Sequence, residues 1–205
     1  MRLPFLPVSG CCRKCGRAVV GLDREFVCED CRTHNPHFDR VASSLRFDGE
    51  ARQMMLDFKF NRHLWLRNDF VDFLEGCLNA RFRVSEIDMV LPMPCTLWHR
   101  LDRGYNQCEY LTKVLAKRLG KPYDRRVLKR IGSPRRQAEL TEDERRKNAE
   151  GTFEVIRPDR VKGLTVLVVD DIMTTGATLS ECAKALKAAG ASRVWCQTLC
   201  HSIRD

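Results

Sequence analysis

Four cysteines near the amino terminus are paired at a spacing that suits a single metal ion. Cys12 and Cys15 form one CxxC pair, Cys28 and Cys31 form a second, and 12 residues separate the two pairs. A tight turn in each pair can direct two thiolates at one tetrahedral ion, and four sulfurs leave no open position for water or substrate. These cysteines therefore predict a structural Zn²⁺ site.

The surrounding segment contains few apolar residues, so we expect it to fold only with its metal. Residues 1–35 are accordingly predicted to form a small zinc-ribbon-like module. Two alternatives stay open at this point. Cys11 could replace Cys12 as the first ligand in a less usual CxxxC spacing, and the two pairs could be reduced thiols that bind nothing.

A second group of residues could bind a phosphorylated sugar. Asp170 and Asp171 follow the apolar run 165–169 and precede a loop that consists of Met173, Thr174, Thr175, Gly176, Ala177 and Thr178. A loop that leads into a helix directs unpaired N–H groups and the positive end of the helix dipole at an anion. The threonine hydroxyls add neutral donors, whereas carboxylates would repel a phosphate but accept hydrogen bonds from sugar hydroxyls. We therefore expect a phosphate on the loop and its ribose at the aspartates.

The elements that must position these residues follow an α/β pattern from residue 36 onward. Apolar runs predict strands at 41–47, 87–91, 165–169 and 193–199. Helical periodicity predicts helices at 51–58, 70–78, 106–119 and 179–186, with Gly120 and Gly190 ending the last two. The polar stretch 129–151 is expected to lie on the surface, and the Thr141–Glu144 capping box could begin a short helix there.

Composition and charge narrow the class of protein further. The 11 cysteines are an odd number and most lie singly along the chain, which favours a reducing, cytoplasmic location over a secreted disulfide framework. No apolar run approaches the roughly 18 residues that a membrane span needs. The net charge of +9 indicates an anionic partner, and segment 113–147 carries 13 Lys or Arg against 5 Asp or Glu.

Two levels of resemblance to known families follow from these motifs. VLVVDDIMTTGAT, at 166–178, resembles the phosphoribosyl pyrophosphate (PRPP) signature of type I phosphoribosyltransferases. More widely, five segments of the chain occur in the order that is typical of the ComF family. They are the four-cysteine segment, LRFDGEARQMMLDFKF, LPMPCTLWHRLDRGYNQCEYL, RRQAELTEDERRKNAEGTF and the PRPP loop. This family comprises competence-associated phosphoribosyltransferase-like proteins, including GntX-type relatives. The resemblance implies a Rossmann-like parallel sheet of the type I fold over residues 36–205.

The resemblance also implies roles for individual residues. Asp170 and Asp171 would align the ribose, and residues 173–178 would hold its 5-phosphate. Arg100, Arg103 and Lys59 would lie on the pyrophosphate together with Mg²⁺, although each could instead be a solvated surface charge. Two further family motifs are RGYNQ at 103–107, where Tyr105 replaces the family's Phe, and a pattern formed by Gln137, Leu140, Arg145 and Asn148. The polar stretch 131–150 corresponds to a flexible lid.

Two functional hypotheses follow. The first is an enzyme that transfers ribose 5-phosphate from PRPP to an unknown acceptor and releases pyrophosphate. The second is a non-catalytic protein that keeps the PRPP-type pocket and binds single-stranded DNA through the zinc module and segment 113–147, with competence and DNA-uptake proteins as partners. Segment 113–147 contains only one aromatic residue, Tyr123, on which a base could stack, and this counts against the second hypothesis.

Overall fold

A computed structural model describes residues 3–19, 21–22, 24, 26–96, 100–101, 104–131, 144 and 148–202. Several predicted features lie outside these residues. They are Arg103, the Thr141 capping position, most of the predicted lid, and three of the four residues of the pattern formed by Gln137, Leu140, Arg145 and Asn148. None of the described helices combines the length and apolarity that crossing a membrane requires.

The described residues form six strands and five helices. The strands are β1 (Arg40–Arg46), β2 (Met89–Pro92), β3 (Leu128–Arg130), β4 (Phe153–Val155), β5 (Thr165–Met173) and β6 (Arg193–His201). The helices are α1 (Glu29–His34), α2 (Gly49–Phe60), α3 (Arg67–Arg81), α4 (Gln107–Arg118) and α5 (Ala177–Ala188). Three short 3₁₀ turns lie at 64–66, 84–86 and 158–160.

Four strands make a parallel sheet in the order β1-β6-β5-β2, and β3 and β4 form a separate antiparallel pair. This confirms the predicted α/β fold with a parallel sheet. Parallel strands are covered on both faces, which explains why the predicted strands are continuous apolar runs rather than alternating ones. In β5, Val166 and Val168 belong to one core while Leu167 and Val169 belong to the other.

The two cores have different composition. One core contains residues of α2, α3 and α4 and lies on one face of the sheet. The other combines α5 and the β3–β4 pair with the four cysteines Cys12, Cys15, Cys28 and Cys31. The amino-terminal segment also bonds to the edge of the sheet, because the Val41 amide donates to the Lys14 carbonyl at 2.7 Å. The domain boundary after residue 35 stays a prediction.

Strand β5 is longer than its apolar run predicted. Its pairing with β2 reaches Val169, whereas its pairing with β6 continues to Met173, opposite His201. The backbone of Asp170 and Asp171 is therefore held within the sheet on the β6 side and open on the β2 side. The acidic pair occupies the end of a strand rather than a loop, which fixes the direction of both side chains.

Candidate ribose-phosphate site and four-cysteine centre

The predicted phosphate loop is a tight turn between β5 and α5. Gly176 is the N-cap of α5 and has a left-handed backbone conformation with φ of +76°. The positive φ favours glycine, and a Cβ at this position would lie 2.9 Å from Met173 Cε, so the end of the methionine side chain would also have to move. The Thr175 hydroxyl accepts a hydrogen bond from the Ala177 amide at 3.3 Å. The turn thus presents the first amides of a helix at the carboxyl edge of the sheet, the geometry that binds anions.

The two aspartates beside this turn have different surroundings. Asp171 is buried, and its Oδ2 lies 2.9 Å from Lys59 Nζ and accepts a hydrogen bond from Gln107 Nε2 at 2.5 Å. Asp170 Oδ1 accepts hydrogen bonds from the Asp171 amide at 2.8 Å and from the Cys108 thiol at 3.4 Å. Burial, with the neighbouring Asp171 charge, raises the pKa of Asp170 to about 7. The ion pair thus lies at Asp171, whereas Asp170 is the carboxyl that is poised between its two protonation states.

Helix α4 is fixed to this site by the residues that precede it. The side chain of Asn106, its N-cap, accepts the Cys108 amide at 3.0 Å and donates to the Met93 carbonyl at 3.1 Å. The Tyr105 hydroxyl donates to the Phe58 carbonyl, so the hydroxyl by which this chain departs from the family's Phe ties the segment to α2. Together these bonds connect β2, α2 and the first turn of α4, which carries Gln107 and Cys108.

The predicted cations are placed differently from one another. The structure brings Lys59 to the acidic pair, where its partner is Asp171. Arg100 is half exposed and lies 3.6 Å from Glu109 on α4, and Arg103 is outside the described residues. Both described cations therefore already face a carboxylate of the protein, and their predicted contact with pyrophosphate stays a prediction.

Gln107 and Cys108 were not among the residues predicted for the site. Gln107 is 5% exposed, and its Oε1 is buried without a hydrogen-bond partner among the described residues. The signal in the sequence was the position of Gln107 directly after the Asn106 cap, which places its side chain in the first turn of a helix. The contact between Gln107 and Asp171 could not be inferred from the sequence, because it depends on how α4 packs against β5.

The four cysteines converge as the CxxC spacing predicts. Ligand atoms of Cys12, Cys15, Cys28 and Cys31 all lie within 4.8 Å of one another, and all four residues are buried. The Cys28 amide donates to Cys12 Sγ at 3.3 Å, which stabilises a thiolate. The Cys11 thiol instead points to the Pro7 carbonyl at 3.3 Å, outside the cluster. Four buried sulfurs with an amide donor are compatible with a structural zinc ion.

The turn that carries the first cysteine pair is packed against the sheet. The Gly16 amide donates to the Cys12 carbonyl at 2.9 Å, and Gly16 has φ of +74°. A Cβ there would lie 2.7 Å from the Val41 carbonyl oxygen in β1, so the turn can approach the strand only with glycine.

The four-cysteine cluster adjoins the phosphate turn. The Phe38 ring lies against Gly176, and the His37 amide donates to the Ser180 hydroxyl on α5 at 3.0 Å. Between the two lies a cleft of about 180 Å³, whose lining includes Cys31, His34, Thr175 and Glu181. The cysteine segment and the phosphate turn are therefore neighbours in space, although more than 130 residues separate them in sequence.

Part of the basic segment 113–147 is neutralised within the protein. Arg118 pairs with Asp72 and with Glu75, the latter at 3.2 Å, and Arg125 lies 3.8 Å from Glu109. Residues 132–143 and 145–147 of this segment lie outside the described part of the chain. The local charge surplus is thus smaller at the described surface than the sequence count suggests.

Comparisons with known proteins agree with this geometry. The family model "Phosphoribosyl transferase domain" matches residues 106–205. The "DNA utilization protein YhgH" of Salmonella typhi is 29% identical over 98% of this chain and 95% of its own length. "Competence protein F" of Haemophilus influenzae is 25% identical over 89% of this chain and 81% of its own length.

The structure of this chain also aligns with a solved structure. Adenine phosphoribosyltransferase from Thermoanaerobacter pseudethanolicus covers 69% of this chain and 83% of its own, with 16% identity and a TM-score of 0.43. This score is too low to support any inference about the site. The assignment rests instead on the parallel sheet, the turn after β5, the domain match and the competence-named relative. On these observations the chain carries a type I phosphoribosyltransferase domain together with a cluster of four amino-terminal cysteines, and its similarity to competence-named relatives over most of its length supports the ComF family.

Proposed function

We propose that this protein binds PRPP, or a related ribose 5-phosphate ligand, at the turn between β5 and α5. The observation that carries the proposal is the glycine-capped start of α5, directly after a strand that ends in two aspartates. The family model supports it, because the matched residues contain both the turn and the acidic pair.

The two ends of the turn suit the two parts of such a ligand. The amides of α5 and the hydroxyls of Thr174, Thr175 and Thr178 are neutral donors, which suit the 5-phosphate. Asp170 accepts hydrogen bonds and suits the ribose hydroxyls, whereas Asp171 is already bonded to Lys59 and Gln107. Asp170 is therefore proposed as the sugar contact and Asp171 as the residue that ties β5 to α2 and α4.

Mg²⁺ is proposed to accompany the diphosphate of PRPP. Ligand atoms of Cys108, Asp170 and Asp171 lie within 4.8 Å of one another, but the Lys59 ammonium already supplies a positive charge there. A thiol is also a poor ligand for magnesium, which prefers oxygen. The donor set fits Mg²⁺ poorly, so we place the ion on the diphosphate oxygens and not in this cluster.

Phosphoribosyl transfer is the reaction that such a site could support. The bond between ribose C1 and the diphosphate oxygen would break, the diphosphate would leave with the electron pair, and C1 would bond to a nucleophilic atom of the acceptor. Positive charge develops on the ring during this step, and the Asp170 carboxylate would stabilise it. Pyrophosphate release in the presence of candidate acceptors is the readout that separates transfer from binding alone.

Calorimetric titration with PRPP and Mg²⁺ tests the binding proposal. Asp170→Asn keeps the shape of the side chain but removes its charge, and we expect it to weaken binding roughly tenfold or more. Asp159→Asn, an exposed aspartate in the 3₁₀ turn before β5, is the matched control and should bind as the wild type does. Equal affinity of wild type and Asp170→Asn would contradict the assignment of Asp170 to the ribose.

The four cysteines are proposed to hold a structural Zn²⁺. Their thiolates would complete a closed tetrahedral shell, which leaves no position for a substrate, so this ion would stabilise the fold and take no part in chemistry at the ribose.

Binding of single-stranded DNA by segment 113–147 is a second proposal for this chain, and the names of the two relatives favour it. Exposed lysines at 113, 117 and 129 would contact phosphates. Fluorescence anisotropy with a labelled oligonucleotide should then show that affinity falls as salt is added. The logarithm of the binding constant should fall with the logarithm of the salt concentration with a slope of about −0.7 for each phosphate neutralised. Affinity that is absent at low salt, or insensitive to salt, would contradict it.

A further inference from the structure

A cavity of about 430 Å³ lies between the amino-terminal segment, the edge strand β1 and helix α3. Residues 3–6 pair with β1, where the Leu6 amide donates to the Ser44 carbonyl at 3.0 Å and the Arg46 amide donates to the Pro4 carbonyl at 2.8 Å. Helix α3 forms the opposite wall. None of the lining residues belongs to the ribose-phosphate site, so this cavity is a separate feature of the molecule.

Two contacts hold the amino-terminal segment against α3, one at each end of the cavity. At one end the rings of Phe5 and Phe73 meet edge to face, with their centroids 5.2 Å apart. At the other end Arg81 donates to the Pro7 carbonyl at 2.9 Å and to the Val8 carbonyl at 3.2 Å. Because the segment is fixed at both ends, the cavity has a defined shape before any ligand arrives.

Gly76 leaves part of this space unfilled. It lies inside α3, one turn after Phe73, and lines the cavity. A Cβ on Gly76 would have no neighbouring heavy atom within 4 Å, so packing does not require glycine here. Glycine inside a helix costs about 1 kcal/mol relative to alanine. Since Gly76 carries this cost without a packing role, its effect is to widen the cavity, and an occupant gives that width a use.

The lining is mainly apolar and carries a cation that is available at its rim. Phe5 and Val8 are 56% and 61% exposed, although both are large apolar residues that border the cavity. Asp72 also lies in the lining, but its carboxylate is paired with Arg118. Both carbonyl bonds of Arg81 come from Nη1, and its Nη2 and Nε have no hydrogen-bond partner among the described residues. Apolar walls and a guanidinium without a carboxylate are thus combined in one cavity.

We propose that this cavity binds a small apolar carboxylate, whose ring or chain fills the space at Gly76 and whose carboxylate pairs with Arg81. The cavity volume lies within the range of small-molecule sites, about 300–1,000 Å³. Nη2 and Nε of a guanidinium can donate two parallel hydrogen bonds to one carboxylate. The apolar part of the ligand covers Phe5 and Val8, whereas a sugar phosphate would leave these walls in contact with water.

Calorimetric titration of the full chain with 2-naphthoate and with its neutral amide, 2-naphthamide, tests the proposal. The wild type should bind both and should bind the carboxylate more tightly. Arg81→Gln should weaken 2-naphthoate binding roughly tenfold and change 2-naphthamide binding about twofold or less. Gly76→Leu should fill the cavity and abolish binding of both. Asn79→Leu, also on α3 but outside the lining, is the matched control and should bind both as the wild type does.

A labelling experiment locates the ligand without relying on these variants. Cys77 lies in the lining and is only partly buried, so N-ethylmaleimide should modify it. Saturating 2-naphthoate should slow the modification of Cys77 several-fold, as measured by mass spectrometry of the modified peptide. Cys95 is also partly buried but lies outside the lining, and its rate should not change. Equal rates at Cys77 with and without 2-naphthoate would place the ligand elsewhere and overturn the proposal.

The proposal is wrong if the wild type binds neither ligand, or if Gly76→Leu binds them as the wild type does. It is also wrong if Arg81→Gln keeps the wild-type preference for the carboxylate. Should Arg81→Gln release the amino-terminal segment, as seen by circular dichroism, Arg81→Lys keeps the charge and should bind 2-naphthoate more tightly than 2-naphthamide. A wild type that sediments as a dimer, and as a monomer after Phe5→Ser, would mean that a second copy covers this face and would equally overturn the proposal.

Discussion

Removal of zinc from the four cysteines is expected to unfold the amino-terminal segment and to loosen the phosphate turn with it. The cysteines share one core with Phe38, Leu179 and Met173. Phe38 lies against Gly176, so the packing that defines the turn depends on the cysteine segment. Structural zinc contributes about 10 kcal/mol or more in small modules, which exceeds what this apolar-poor segment could supply without it.

Hydrogen exchange measured by mass spectrometry, before and after treatment with a chelator, tests this expectation. Exchange should rise across residues 3–35 and also in the first turn of α5, while α3 and α4 on the other face of the sheet keep their protection. Cys15→Ser should reproduce the effect without a chelator, and Cys11→Ser is the matched control because its thiol lies outside the cluster. Unchanged exchange in the first turn of α5 after metal loss would show that the two regions are independent.

Lys59→Met is expected to lower the free energy of unfolding by about 3 kcal/mol at neutral pH. Lys59 and Asp171 are only 12% and 11% exposed, and their charged atoms lie 2.9 Å apart. Removing the lysine leaves Asp171 buried with a hydrogen bond from Gln107 but without the ammonium that lies 2.9 Å away in the wild type. The cost comes from the carboxylate that is left behind, not from the lysine itself.

Urea denaturation of a double-variant cycle measures that cost. Asp171→Leu combined with Lys59→Met removes both charges, and we expect it to recover most of the stability that Lys59→Met alone loses. Lys113→Met, an exposed lysine on α4, should change the free energy of unfolding by less than about 0.5 kcal/mol. A Lys59→Met variant as stable as Lys113→Met would mean that the ion pair contributes nothing in solution.

Much of the fold follows from local patterns in the sequence. Periodicity placed α4 and α5 within two residues of their observed ends. The CxxC spacing likewise predicted which cysteines meet. Each of these features depends on neighbours within a few residues, which is why composition and spacing are sufficient.

The contacts that define the site were harder to predict because they join distant parts of the chain. The packing of α2 brings the Lys59 ammonium to Asp171, a contact that no local pattern reports, and the contact of Lys59 with pyrophosphate stays a prediction. The length of β5 beyond its apolar run was set by pairing with β6, which local hydrophobicity does not report.

Backbone amide NMR during titration with ribose 5-phosphate is the most direct test of the central claim, because it reports on the turn itself. The account predicts that the amide resonances of residues 175–178 shift most, since these amides would donate to the phosphate. Resonances of residues at the amino end of the sheet, such as Leu164 and Ser192, should not move. Saturating ribose 5-phosphate that leaves the amides of residues 175–178 unshifted would contradict the account.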